Sequence, residues 1–205
     1  MFKAMILCSC FVFGLAQVGC LEMKKSTDDS TCKKLIVYGQ SKAKLHYDHH
    51  EKTSKKIPVD EFLSMNEIEA RQYNDVEFCH VDIAELDRQL TRLLNCKEFA
   101  KVSFYDCNFD GCFFIMDHLS IRELIVSYCG VTAEDVIDIF RVDPYTIDHI
   151  DLSYNKLYTD EKRLVDATLR YEGIFCATID VRGNKLSKNC ISQLADLRSI
   201  EIICD

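Results

Sequence analysis

Apolar residues recur along the chain in one spacing: apolar, two residues, apolar, one residue, apolar, two residues, Asn or Cys, one residue, apolar. It is met at every position by Phe99, Val102, Phe104, Cys107, Phe109; by Ile121, Leu124, Val126, Cys129, Val131; by Ile147, Ile150, Leu152, Asn155, Leu157; and by Cys176, Ile179, Val181, Asn184, Leu186. A degraded copy comes before them (Tyr73, Val76, Phe78, Val81, Ile83) and a truncated one after them (Leu197, Ile200, Ile202). At the second apolar position (76, 102, 124, 150, 179, 200) the intervals are 26, 22, 26, 29 and 21 residues. Alternation such as Ile150, Leu152 predicts a short strand with one face turned inward. Helical patterns separate the strands at Ala84 to Leu94, Thr132 to Phe140, Thr159 to Leu169 and Ser187 to Leu197. Thr132 is read there as an N-cap, and Leu164, Val165 and Leu169 as the buried face of the third helix.

A unit of strand, turn and helix repeated every 20 to 29 residues resembles the leucine-rich-repeat family. The helices between strands, and Cys in place of Asn in two copies, are similar to its ribonuclease-inhibitor-like and cysteine-containing classes. Residues 152–157 (LSYNKL) carry the most typical fragment, and the resemblance covers about 130 residues. It implies an α/β fold: a short leucine-rich-repeat solenoid with parallel strands on a concave face, helices on a convex face and atypical terminal copies as caps. The family's motif residues are structural and its partners vary, so the resemblance speaks to fold more than to function.

The polar motif position explains itself physically. Asn155 and Asn184 are expected to turn into the core after each strand and satisfy main-chain groups left unpaired at the bend, with Cys107 and Cys129 doing so more weakly through S–H. These cysteines are then structural thiols, not nucleophiles. The residue between the two strand apolars points outward, giving the column Glu77, Ser103, Ile125, Asp151, Asp180, Glu201. Beside it run Cys79, Tyr105, Ser127, Ser153, Arg182 and Ile203, with Tyr128 and Tyr154 following at the turns. Asp151, Asp180 and Glu201 are expected to stack as like charges that Arg182 and His149 relieve only in part, which points to a missing partner. The expected binding face is therefore acidic and Tyr-lined, formed by Glu77, Ser103, Tyr105, Tyr128, Asp151, Tyr154, Asp180, Arg182 and Glu201.

Composition adds constraints. The 205 residues are 48% hydrophobic with two prolines and seven glycines, as in an ordered globular chain. The net charge of -8 disfavours nucleic acid and favours a protein partner with a basic surface. The acidity is uneven, because residues 23–56 hold nine lysines against four acids. That gives three parts: residues 1–20 a signal peptide, 21–57 a basic linker or leader, and 58–205 the repeat domain with degraded caps. The uncharged run Ala4 to Val18 fits a secretory signal cleaved after Ala16 or Cys20, with an uncleaved anchor or lipidation at Cys20 as alternatives. Membrane contact is then transient or made through an uncleaved N-terminus, and the protein is secreted or on the cell surface.

In an oxidising compartment Cys190 could pair with Cys204, and Cys79 with Cys96. His46, Asp48, His49 and His50 form the one ligand-like cluster but lack a second ligand group at zinc-finger spacing, so neither metal nor cofactor is expected. The chain carries no Gly-x-Ser-x-Gly, His-Glu-x-x-His, Walker or Gly-x-Gly-x-x-Gly motif, and no N-glycosylation sequon. The expectation is a non-catalytic protein-protein interaction module. Its rival is an intracellular or mitochondrial leucine-rich-repeat adaptor or assembly factor, which would want an Arg-rich presequence that residues 1–20 lack.

Overall fold

The structure, a computed structural model, describes residues 34–39, 54–84, 86–94, 97–111, 113, 119–142, 146–171 and 178–205. The proposed signal segment and the His46, Asp48, His49, His50 cluster lie outside the described residues, as does Cys96. Among the described residues, no helix is long and apolar enough to cross a membrane.

Among the described residues, every strand belongs to one open parallel sheet of eight strands. They are β1 (Lys34–Tyr38), β2 (Ser54–Pro58), β3 (Asp75–Cys79), β4 (Phe99–Tyr105), β5 (Ile121–Ser127), β6 (His149–Asp151), β7 (Thr178–Asp180) and β8 (Glu201–Ile203). From β3 to β8 sequence neighbours are spatial neighbours, but β1 lies between β3 and β2, which leaves β2 at the outer edge. Between strands run α1 (Val59–Ser64), α2 (Glu67–Ala70), α3 (Asp87–Leu94), α4 (Val136–Ile139), α5 (Glu161–Tyr171) and α6 (Lys188–Ala195).

The even-numbered residues of β3, Val76 and Phe78, and their counterparts Val102, Phe104, Leu124, Val126, Ile150 and Ile179 are all buried in one apolar cluster. Leu90 and Leu94 of α3, Val136 and Ile139 of α4, Leu164 of α5 and Leu194 of α6 belong to the same cluster, so the helices share one face of the sheet. In its N-terminal half the cluster is aromatic: Phe78 stacks on Phe104 (centroids 5.2 Å, 12°) and meets Phe62 edge-on (5.3 Å, 82°). Each such ring removed from water contributes about 1.5 to 3 kcal/mol. Ile36, Cys79 and Ile125 are buried too, yet fall outside that cluster, as their outward alternation requires.

The structure departs from the sequence expectations at several points. Strand β1, and β2 up to its last residue Pro58, fall within residues 21–57, the stretch expected to be basic leader. Leu35 and Val37 are fully buried, and β1 pairs with β3 through Val37 and Phe78, so a four-residue apolar run outweighs its lysine-rich surroundings.

The last strand is shifted by two residues: Ile202, not Ile200, pairs with Ile179, and Glu201 lies level with Thr178 instead of Asp180. The helix expected from Thr132 shrinks to one turn, because the Asp135 carboxylate accepts the Thr132 amide (2.8 Å) and hydroxyl (2.7 Å) and closes a turn ahead of it. The segment expected to be helical from Thr159 begins as a 3-10 turn (Leu157–Asp160) leading into α5. There Ala167 and Thr168 take the buried face, while Leu169 is 48% exposed.

Candidate functional site: the ladder, the outer sheet face and the groove at the strand ends

At the bend after each strand the four ladder residues do what their chemistry permits. Asn155 Nδ2 donates to the carbonyls of Val126 (2.7 Å), Leu152 (2.9 Å) and Ser153 (3.2 Å), while its Oδ1 accepts the amides of Cys129 (3.0 Å) and Val131 (3.2 Å). Asn184 repeats this one unit on, donating to Leu152 O (2.8 Å) and Val181 O (2.9 Å) and accepting from Asn155 N (3.1 Å) and Leu157 N (3.2 Å). Cys129 and Cys107 reproduce the donor half: their thiols point at Phe104 O (3.4 Å) and Phe78 O (3.4 Å), the counterparts of Val126 and Leu152.

Burial, with Cys129 alongside, pushes the Cys107 thiol up. Burial followed by the Glu77 carboxylate pushes Cys79 up to about 12, and burial pushes Cys190 up to about 11. Held protonated, these thiols are the reverse of activated nucleophiles. Cys190 and Cys204 are both free, so the expected terminal staple is not formed, and Cys79 is free as well.

The outer face of the sheet is more fully paired than the sequence suggests. Lys34 reaches Glu77 (2.9 Å) and Lys101 reaches Glu123 (3.1 Å). Asp151 and Asp180 are register neighbours as expected. Arg182 closes on Asp180 through Nε (3.0 Å) and Nη2 (2.5 Å), and its amide adds a third contact at 3.0 Å. Burial would raise the Asp180 carboxyl, but hydrogen bonds and charge from Arg182 outweigh it and hold it below the usual carboxylate range. Ser103 is 2% and Asp180 3% exposed, so neither offers surface, and the shift of β8 removes Glu201 from the expected stack of three acids. Asp151 remains half-buried, bonded through Oδ1 to the Ser153 amide (2.8 Å).

The aromatic residues sit elsewhere. His80, Asp106, Tyr128, Tyr154 and Gly183 each stand two residues past the second strand apolar, and all five have positive φ (50° to 70°). They form a column along the C-terminal ends of the strands. A side chain in this left-handed region costs roughly 1 to 2 kcal/mol, and for a bulky tyrosine the conformation is an outlier. His80 Nδ1 lies 2.7 Å from Asp106 Oδ2, and the Tyr128 and Tyr154 rings stack at 4.6 Å, 5° from parallel. Stacking returns about 0.5 to 1.5 kcal/mol, which does not cover two strained tyrosines. Gly183 is glycine for a second reason: a Cβ there would lie 2.5 Å from Tyr154 Cδ1.

Two residues further along each unit stand Asp82, Asn108, Gly130, Lys156 and Lys185. Of these, Asn108, Gly130, Lys156 and Lys185 join His80, Asp106, Tyr128 and Tyr154 in bordering a groove of about 810 Å³, floored by Cys107, Cys129 and Asn155 and lined on its rim by Tyr105 and Tyr158. The expected acidic, Tyr-lined strip thus divides in two. The carboxylates of Asp151 and Asp180 lie on the sheet face, whereas Tyr105, Tyr128 and Tyr154 border a groove that also holds Lys156, Lys185 and the His80–Asp106 pair. His80, Asp106, Tyr158 and both lysines went unnoticed in the sequence. The constant offset from the strand apolars, with a glycine sharing it at 183, was the available signal. Comparison of the chain with family models and with curated proteins gave no match.

Proposed function

We propose that the chain is a non-catalytic leucine-rich-repeat interaction protein, a short solenoid whose outer sheet face is concave and receives a basic surface of a partner protein. The side-chain ladder supports the repeat reading, because an Asn or Cys bonds the bend of the preceding unit at 107, 129, 155 and 184. One observation carries the binding reading: Asp151 and Asp180 sit side by side, and the Arg182 guanidinium is bonded to Asp180. A cationic group from a partner would pair with Asp151, the half-buried member of the two. Against catalysis, the thiols that line the groove with the His80–Asp106 pair include Cys79 and Cys107, both held protonated, and Cys79 donates to Glu77 Oε1 (3.3 Å).

The test compares capture of the natural partner by the full chain and by an Asp151→Lys, Glu201→Lys variant. Undiminished capture by the variant overturns the sheet-face reading.

The N-terminal apolar run supports secretion or surface display, and N-terminal sequencing of the expressed protein checks it. A retained Met1 in a soluble intracellular protein overturns that location. One observation favours the rival, an intracellular or mitochondrial adaptor: Cys79, Cys107, Cys129, Cys190 and Cys204 are all free thiols, and two of them serve as ladder donors only while reduced.

A further inference from the structure

The groove at the strand ends has a chemistry opposite to that of the sheet face beside it. We propose that it docks an acidic segment of a partner protein, whose carboxylates are received by Lys156 and Lys185 while an adjoining flat side chain lies on the Tyr128–Tyr154 stack.

Charge complementarity is the first ground. In a chain with 33 acids against 25 bases, Lys34, Lys55 and Lys101 each meet a carboxylate, yet Lys156 and Lys185 have no ion-pair partner among the described residues. Both are exposed and both border the same groove. The second ground is preorganisation. Tyr154 is held between Tyr128 and the Gly183 backbone, so the rings are fixed while remaining 51% and 53% exposed. A rigid aromatic surface loses little side-chain entropy on binding. The third is size, because about 810 Å³ accommodates a few residues of an extended peptide.

The sheet face disfavours a long polyanion. Asp151 and Glu201 would repel a nucleic-acid backbone or an anionic bilayer laid across the molecule, whereas a short acidic segment at the rim meets Lys156 and Lys185, and Asp106, which also lines the groove, is bonded to His80.

Fluorescence anisotropy with the full chain tests this, using as probe a fluorescein-labelled peptide of a central tyrosine flanked by two glutamates on each side. Saturable binding is expected, weakened about tenfold or more by Lys156→Glu with Lys185→Glu, by Tyr128→Ala with Tyr154→Ala, and by raising the salt concentration. Both lysines are exposed, so the charge-reversed protein should melt with the wild type; Lys156→Ala with Lys185→Ala serves if it does not. The proposal is overturned by absent binding, by equal binding of the lysine-flanked control peptide, or by undiminished binding in the lysine variants. Tighter binding of oligothymidylate or phosphatidylserine vesicles that the acidic peptide fails to displace also overturns it. Asp151→Lys with Glu201→Lys should leave peptide binding unchanged, so the two surfaces succeed or fail separately.

Discussion

Asn155 is the most demanding test of the ladder. Its amide has two protons and two accepting lone pairs, and the main-chain groups of Val126, Leu152, Cys129 and Val131 use all four. The residue is 6% exposed, so water cannot readily take over. At about 1 kcal/mol for each neutral hydrogen bond, Asn155→Ala should cost about 4 kcal/mol, a large part of the roughly 5 to 15 kcal/mol that holds a domain folded. Asn155→Cys keeps one donor, as Cys129 and Cys107 do, and loses the other donated bond and the two accepted amides, so about 3 kcal/mol is expected. Asn155→Asp keeps the acceptors but turns an anion toward the carbonyls of Val126 and Leu152, and should be worse than alanine. Urea denaturation followed by circular dichroism gives the midpoints and slopes needed. The predicted order is wild type, Cys, Ala, Asp. A loss below 1 kcal/mol for alanine, or cysteine no better than alanine, would refute the reasoning.

Further predictions follow from neighbouring features. Cys129→Asn restores the accepting half of the ladder in its own unit and should raise the urea midpoint, by about 1 kcal/mol in stability; a lowered midpoint would show the site too small for an amide. The Asp180 carboxyl lies lower in the folded chain than in the unfolded one, so its contribution is full above about pH 4 and is lost as pH falls through the folded value. Asp180→Asn should therefore cost stability at pH 7, about 1 kcal/mol after allowing for the half-exposed Arg182, and the gap to wild type should close in acid; a gap that persists at pH 2 would refute the pairing. Gly183→Ala forces a side chain into the left-handed region and against the Tyr154 ring, so a loss of about 1 to 2 kcal/mol with a changed near-ultraviolet tyrosine signal is expected in thermal melts.

The sheet from β3 to β7 and its ladder were legible because their signals are periodic and local. Burial of Val76, Val102, Leu124, Ile150 and Ile179 requires an apolar residue at one fixed offset, and the bend requires a donor at another. Strands β1 and β2 were not legible because neither carries the motif, and Lys55 and Lys56 occupy exposed positions of a strand with a single buried residue, Ile57. The misplaced register of β8 has a different cause. A shift of one residue would turn every side chain to the other face, but a shift of two preserves inside and outside, so the hydrophobic pattern of Ile200 and Ile202 permits either pairing. The groove escaped notice because it is assembled from single residues of several units. What aims them together is the left-handed backbone at 80, 106, 128 and 154, which no apolar periodicity records.

The position of β2 bears on how such an array can lengthen. A strand added before β1 would need the free edge of β1, and β2 already occupies it. β2 itself ends in Pro58, which has no N–H to offer, and presents Lys55 and Lys56 to solvent. Duplication of a unit is therefore accommodated between β3 and β8, where each strand follows its predecessor directly, and blocked upstream. Evolution or an engineer extending the array has one direction in which to do it.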